Sequence, residues 1–338
     1  MATNTFFINL TNKCNLNCKH CYDLKLNREM SKNVLDKSIE YICQKIKDSN
    51  ENDYTINFVG GEIGLYNQQW ISDAIDYIKN FCQKLLRIIY QTNLCYTLTD
   101  THLEVLKKVD EIGTSYDYQI RFNNYSQKFQ WMDNIKLLQS LNKHIRVSFT
   151  ITKNLIENVS PEILYDMILG MNIYDIEFTR LLPTVSGKDI SQLNPLNKDV
   201  RKWLYEAFIL YEKIRKYKPL NVINFECLRD SFYGNYNWEH GRHCCLDNEV
   251  ITPNGNVGTC LLEQSKPFYN IITDEYICNK QCIYNAEQEL EDECNKCKYL
   301  NMCKGDCHLY HCDETGCSTP YEIYDYLKIK QELENGSI

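Results

Sequence analysis

The chain has 338 residues, of which 43% are hydrophobic and 24% charged, and a net charge of −8. That length and apolar content suit two domains or one large one and exclude a disordered chain. The acidic balance argues against a sequence-independent nucleic-acid partner, which needs Lys and Arg to neutralise phosphate.

Eighteen cysteines sit in a chain with no apolar run of about 18 residues and no basic or apolar export signal at Met1-Ala2-Thr3-Asn4-Thr5. This points away from disulfides and from a membrane, toward a cytoplasmic protein whose thiols hold metal or iron–sulfur groups.

From residue 6 to about 217, strand-like and helix-like segments alternate. Strands are expected over 6–11, 55–60, 87–93, 118–123, 146–152 and 175–182, each rich in Ile, Val, Phe, Tyr or Thr. Between them apolar residues recur at helical spacing, as at Val34, Leu35, Ile39, Ile42 and Ile46, or Trp131, Ile135, Leu138 and Leu141. The alternation predicts an α/β fold of right-handed βαβ units on a parallel sheet, a partial (β/α)6 barrel over residues 1–217.

Such folds gather their chemistry at the C-terminal ends of the strands. Cys14, Cys18 and Cys21 fall there, after the first strand, as C-x3-C-x2-C. Three thiolates on one loop can grip three irons of a [4Fe–4S] cube and leave the fourth without a protein ligand. A zinc site completed by His20 is the alternative, although structural zinc sites usually use two separated ligand pairs. Gly60-Gly61-Glu62 follows the second strand, where a glycine pair lets backbone approach a ligand closely. The other strand ends offer Asn93, Asn123, Ser148 and Arg180, with donors and acceptors for ribose hydroxyls or a carboxylate.

A helical segment from about Lys198 to Lys216 leads out of the barrel, and a linker is expected over 218–240. Residues 241–338 are cysteine-dense, with Cys245-x9-Gly255-x4-Cys260, then Cys294-x2-Cys297-x5-Cys303-x3-Cys307, then Cys312 and Cys317. Glu249 to Cys260 reads as a β-hairpin with a tight Asn254-Gly255 turn. Clustered thiols of this kind also suit a pair of zinc-ribbon sites.

The triplet, with His20 directly before its last cysteine, resembles the signature of the radical S-adenosylmethionine (radical SAM) superfamily. The resemblance implies that the open iron chelates the amino and carboxylate groups of S-adenosylmethionine. The reduced cluster then cleaves the sulfonium to a 5′-deoxyadenosyl radical, which abstracts a hydrogen atom. Gly60-Gly61-Glu62 resembles the family's GGEP segment, which holds the methionine amino group, with Ile63 in place of Pro. On this reading Gly61→Val weakens cofactor binding and leaves the iron content unchanged.

The C-terminal pattern resembles the SPASM domain, a cysteine-rich extension that carries two auxiliary clusters, for three [4Fe–4S] clusters in all. By that resemblance Cys294, Cys297, Cys303 and a late cysteine, Cys317 in preference to Cys312, hold auxiliary cluster II. Cys245, Cys260 and Cys307 hold auxiliary cluster I, whose fourth position is either closed by Cys244 or open to a peptide thiolate. Cys227, near the barrel exit, is a candidate hydrogen-atom donor, with a buried linker thiol as the alternative. Cys278 and Cys282 are spare, and Cys43, Cys82 and Cys95 act as small hydrophobes.

The implied function is maturation of a ribosomally made peptide by thioether or carbon–carbon crosslinking, epimerisation or oxidation. Its implied partners are the precursor peptide, an electron donor such as flavodoxin or ferredoxin, and a separate peptide-recognition protein if the leader does not bind the barrel mouth or the cysteine-rich domain. One alternative is formylglycine-forming sulfatase maturation, against which Leu261 stands where those enzymes carry an acidic residue. Others are dehydrogenation of a small alcohol and a non-catalytic electron carrier, which has no need of a barrel with an open-iron triplet.

Overall fold

The computed structural model describes residues 4–23, 26–82, 84–182, 190–235, 247–264 and 266–335. Six parallel strands lie side by side in chain order: β1 (Thr5–Asn9), β2 (Asp53–Val59), β3 (Leu85–Gln91), β4 (Glu111–Ser115), β5 (Ile145–Ile151) and β6 (Asp175–Arg180). Helices α1 (Lys32–Asp48), α2 (Gln68–Phe81), α3 (Asp100–Lys108), α4 (Tyr125–Ser140), α5 (Lys153–Asn158) and α6 (Pro161–Gly170) fill the crossovers. Helix starts are set locally: the Ser31, Asn67, Asn124 and Ser160 side chains each accept a backbone N–H of the following first turn.

Strand alternation sorts the two sheet faces. On β5 the residues Ile145, Val147, Phe149 and Ile151 are buried, and on β6 so are Ile176 and Phe178. Phe149 meets Phe178, which packs edge-on against Trp203 of α7 (Asn197–Ile214) at 5.4 Å between ring centroids. The opposite face keeps a polar row in register, Ser115, Ser148 and Glu177.

The fourth strand differs from the sequence expectation of 118–123. It is Glu111–Ser115, buried over its first four residues. A strand covered on both faces shows no polar alternation, and Gly113 weakens its β signal further. The aromatic run at 118–123 forms instead the loop leading into α4, with Phe122 packed on Tyr116 and Trp131.

The segment expected as a linker over 218–240 carries β7 (Asn221–Val222), which pairs with β6, and α8 (Ile223–Phe232), which packs on α7 through Phe208 and Phe225. On the other edge, β8 (Asn248–Ile251) pairs in parallel with β1, in register from Thr5 with Asn248 to Ile8 with Ile251. β9 (Asn256–Gly258) returns antiparallel as the expected hairpin, followed by β10 (Tyr269–Asn270) and β11 (Glu275–Tyr276). Hairpin and barrel therefore share one eleven-stranded sheet.

Short helices α9 (Lys280–Glu287), α10 (Asp292–Asn295) and α11 (Leu300–Cys303) lead to α12 (Glu322–Glu334), which buries Ile323, Tyr324 and Leu327. Among the described residues no helix is long and apolar enough to cross a membrane.

Candidate functional site

Cys14, Cys18 and Cys21 stand on the loop between β1 and α1, all half-buried. The Leu16 N–H points at the Cys14 sulfur at 3.4 Å, and the Asn93 amide, at the end of β3, at 3.7 Å. Burial pushes the Cys18 thiol up to about 11; Arg121 opposes it, and charge on Asp117, Cys21 and Cys14 adds to it. The three thiols thus share one electrostatic environment, and N–H groups aimed at sulfur are what cluster thiolates use.

Among the described residues, the His, Cys, Asp and Glu sets whose ligand atoms converge within 4.8 Å are Glu111, His144 and Asp175; Glu263, Glu287 and His308; and Glu291, Glu293 and Cys312. Neither the triplet nor Cys294, Cys297 and Cys303 form such a set. One zinc would draw its sulfurs to about 3.8 Å of each other, whereas a cube spreads its thiolates over separate irons. Three thiols on one loop are the donor set that a cube takes, each on its own iron.

His20 bonds Asp117 at 3.0 Å, and Arg121 donates to the same carboxylate oxygen at 3.0 Å. The other Asp117 oxygen accepts the Thr150 N–H at 3.0 Å. Arg121 also offers its backbone carbonyl to the Cys18 thiol at 3.6 Å. The sequence reading missed Asp117 and Arg121, because it put a strand over 118–123 and left Asp117 just before it; their opposite charges four residues apart were the available signal.

Gly60 and Gly61 lie directly on the cysteine loop. Gly61 N–H donates to Thr11 O at 2.6 Å, and a Cβ on Gly61 would stand 2.4 Å from Lys13 O. The pair packs on the loop that carries the thiols, so a side chain at Gly61 would press on that loop. Glu62, the third residue of this candidate segment, braces the neighbouring backbone. Its carboxylate, 1% exposed, accepts Gly64 N–H at 2.7 Å, Thr92 Oγ1–H at 2.7 Å and Asn93 N–H at 2.6 Å. Glu62→Ala would leave two buried backbone donors without an acceptor and cost about 2 kcal/mol or more. Denaturant unfolding of the cluster-free protein measures this, and an unchanged midpoint would refute it.

The remaining candidates divide. Asn93 joins the site, donating also to Asn15 Oδ1 at 2.7 Å. Ser148 lies within β5 rather than at its end and donates to Glu177 at 3.3 Å. Asn123 is exposed on the loop before α4, where its N–H is taken by Gln127 at 2.8 Å, so it does not fill the strand-end role expected of it. Arg180 ends β6 but turns to the C-terminal region, donating to Asp306 at 2.8 Å and Ser318 at 2.7 Å. Cys227 sits half-buried on α8.

In the C-terminal region a cavity of about 460 Å³ is lined by Cys294, Cys297, Cys303, Cys312 and Cys317. Burial, and then charge on Asp306, push the Cys303 thiol up to about 12, with the Gly305 N–H opposing it. Cys317 accepts the Thr319 N–H, whereas Cys312 donates its proton to Glu291. The first turn of α7 holds the loop bearing these two cysteines: Asn197 Nδ2 donates to Gly316 O at 2.7 Å, and Arg201 donates to Cys317 O.

Cys260 follows the hairpin, and Leu262 and Glu263 N–H groups oppose the burial that pushes its thiol up to about 12; charge on Cys307 raises it further. Cys307 is buried and bonds His308. Cys244 and Cys245 lie outside the described residues. Two contacts connect this region to the end of β1 and the cysteine triplet. Asn9 at the end of β1 donates to Gln264 at 3.1 Å. Tyr22 is pushed up by burial and then by charge on Asp23, Cys21 and Cys260.

Residues 5–138 match a family of 4Fe–4S single cluster domains. The chain is 22% identical over 329 residues to a cysteine-type anaerobic sulfatase-maturating enzyme of Clostridium novyi, covering 88% of this chain and 85% of that one. It is 25% identical over 220 residues to the radical SAM cyclopropyl synthase TigE of Paramaledivibacter caminithermalis, covering 58% of this chain and 45% of that one.

Among solved structures, native anSMEcpe with bound AdoMet and Kp18Cys peptide superposes with a TM-score of 0.81 at 17% identity over 99% of both chains. Streptococcus suis SuiB bound to the precursor peptide SuiA gives 0.65 at 15% identity over 91% of this chain and 72% of that one. The cysteine triplet at the end of β1 thus lies inside the segment that matches the 4Fe–4S single cluster domains, and the chain shares its fold with anSMEcpe and SuiB.

Proposed function

We propose that the protein modifies a ribosomally made precursor peptide by removing a hydrogen atom from one of its residues, with electrons managed by two auxiliary clusters. The observation that carries this reading is that the Tyr22 hydroxyl feels charge from both Cys21 and Cys260, with Asn9 at the end of β1 donating to Gln264 at 3.1 Å. A second set of thiols next to the first suits a reaction in which a substrate radical must lose or share a further electron.

Cys14, Cys18 and Cys21 would hold the first [4Fe–4S] cluster, Cys260, Cys307 and Cys245 auxiliary cluster I, and Cys294, Cys297, Cys303 and Cys317 auxiliary cluster II. Cys317 is chosen over Cys312 because it accepts a backbone N–H, as a thiolate does, while Cys312 spends its proton on Glu291. When bound, the first cluster and S-adenosylmethionine supply the radical that takes the hydrogen atom. The chain's own part is to hold the loop: Asn93 and Leu16 donate to the Cys14 sulfur, while Asp117 braces His20 and Arg121, whose backbone carbonyl faces the Cys18 sulfur. Peptides bound in anSMEcpe and SuiB support a peptide substrate.

The second reading, sulfatase maturation, is favoured by the whole-chain similarity to a sulfatase-maturating enzyme. Against it, Leu261 follows the hairpin cysteine, and the nearest acid, Glu263, is engaged by His308 at 2.9 Å and Lys266 at 2.7 Å.

The test is anaerobic incubation of reconstituted protein with reductant, S-adenosylmethionine and either a short peptide encoded beside the gene or a sulfatase-derived Cys peptide. Peptide-dependent 5′-deoxyadenosine with a mass change in the neighbouring peptide is expected. Formylglycine in the sulfatase peptide alone would establish the second reading, and no 5′-deoxyadenosine with either would overturn both.

A further inference from the structure

Arg180 and Asp306 are 126 residues apart in sequence and form a buried pair between the end of β6 and the cysteine-rich region, at 2.7 and 2.8 Å. Asp306 lies between Cys303 and Cys307, which the proposed function gives to different auxiliary clusters. Its carboxylate accepts the Cys307 N–H at 2.7 Å and the Thr319 hydroxyl at 2.6 Å. Thr319 Oγ1 in turn is 3.8 Å from the Cys303 sulfur. Arg180 lines the five-thiol cavity, donates to Ser318, and stacks on the Tyr310 ring at 3.7 Å, whose hydroxyl returns to Arg180 O at 3.2 Å.

The backbone here is strained: Lys304, Gly305 and Asp306 are consecutive left-handed residues, with φ of 55°, 82° and 55°. Such a path persists where its surroundings hold it, and the bonds to Asp306 are that hold. A charge pair fixed in a buried setting between two cluster sites acts on both, because local charge and hydrogen bonding to sulfur set the potential of an iron–sulfur cluster.

We propose that Arg180 and Asp306 are positioning residues that fix the cysteines at 303 and 307 against the barrel and set the reduction potentials of the two auxiliary clusters through their opposite charges. The proposal rests on the cluster assignment above. Iron content and spectra of the reconstituted wild-type protein are therefore measured first, and absence of auxiliary clusters would count against that assignment.

With clusters present, potentiometric titration followed by electron paramagnetic resonance reads the effect. Asp306→Asn removes a negative charge at constant size and is expected to shift the auxiliary potentials upward. Arg180→Gln removes the positive one and is expected to shift them downward. Arg180→Lys, which keeps the charge, and the double variant Asp306→Asn/Arg180→Gln, which removes both, are expected near wild type. A merely structural pair would give shifts of one sign, or iron loss in every variant that the double change does not repair. Either result, or no shift at all, overturns the proposal.

Discussion

Replacing Cys14, Cys18 and Cys21 together with Ala is expected to remove about a third of the iron and all cleavage of S-adenosylmethionine, on the basis of three four-iron clusters. The thiols are half-buried on a loop, so the cluster-free fold should lose no more than about 1 kcal/mol per site. Iron analysis and 5′-deoxyadenosine release on the same preparation check both parts. Loss of about half the iron would mean one auxiliary cluster rather than two. Surviving cleavage would remove the triplet from the reaction.

Gly61→Val carries the second large effect. The new Cβ would meet Lys13 O at 2.4 Å and the Asn12 carbonyl at 2.9 Å, all backbone atoms of the cysteine loop. Contacts this short cannot be relieved by turning a side chain, so either the loop carrying the thiols or the β2 end must move. Overpacking of this kind costs about 1–3 kcal/mol, and here the displacement falls on Cys14. The expected outcome is loss of the first cluster's iron together with cofactor binding, while the auxiliary iron is retained. Weakened S-adenosylmethionine binding at full iron content would return Gly61 to the cofactor surface and refute the supporting role. Gly61→Ala, which also places a Cβ there, should behave the same way in milder form.

The sequence alone was enough for what depends on short spacing. The C-x3-C-x2-C loop, the Asn254-Gly255 turn and five of the six barrel strands follow from contacts within a few residues. Such local patterns persist whatever the rest of the chain does.

The fourth strand escaped because burial on both faces erased its alternation, and with it went Asp117 and Arg121, which the loop after that strand brings to His20. Asn123 and Arg180 were read as equivalent strand-end polar groups. Only the fold separates them, sending one to solvent and the other to Asp306. The pairing of β8 with β1 and the Arg180–Asp306 contact join residues far apart in the chain. No local propensity encodes such partners, since they are chosen by which edge of a strand remains unpaired and which buried charge still needs an opposite. The cysteine spacing therefore pointed to thiol-held groups, and the tertiary structure decided which residues surround the thiols.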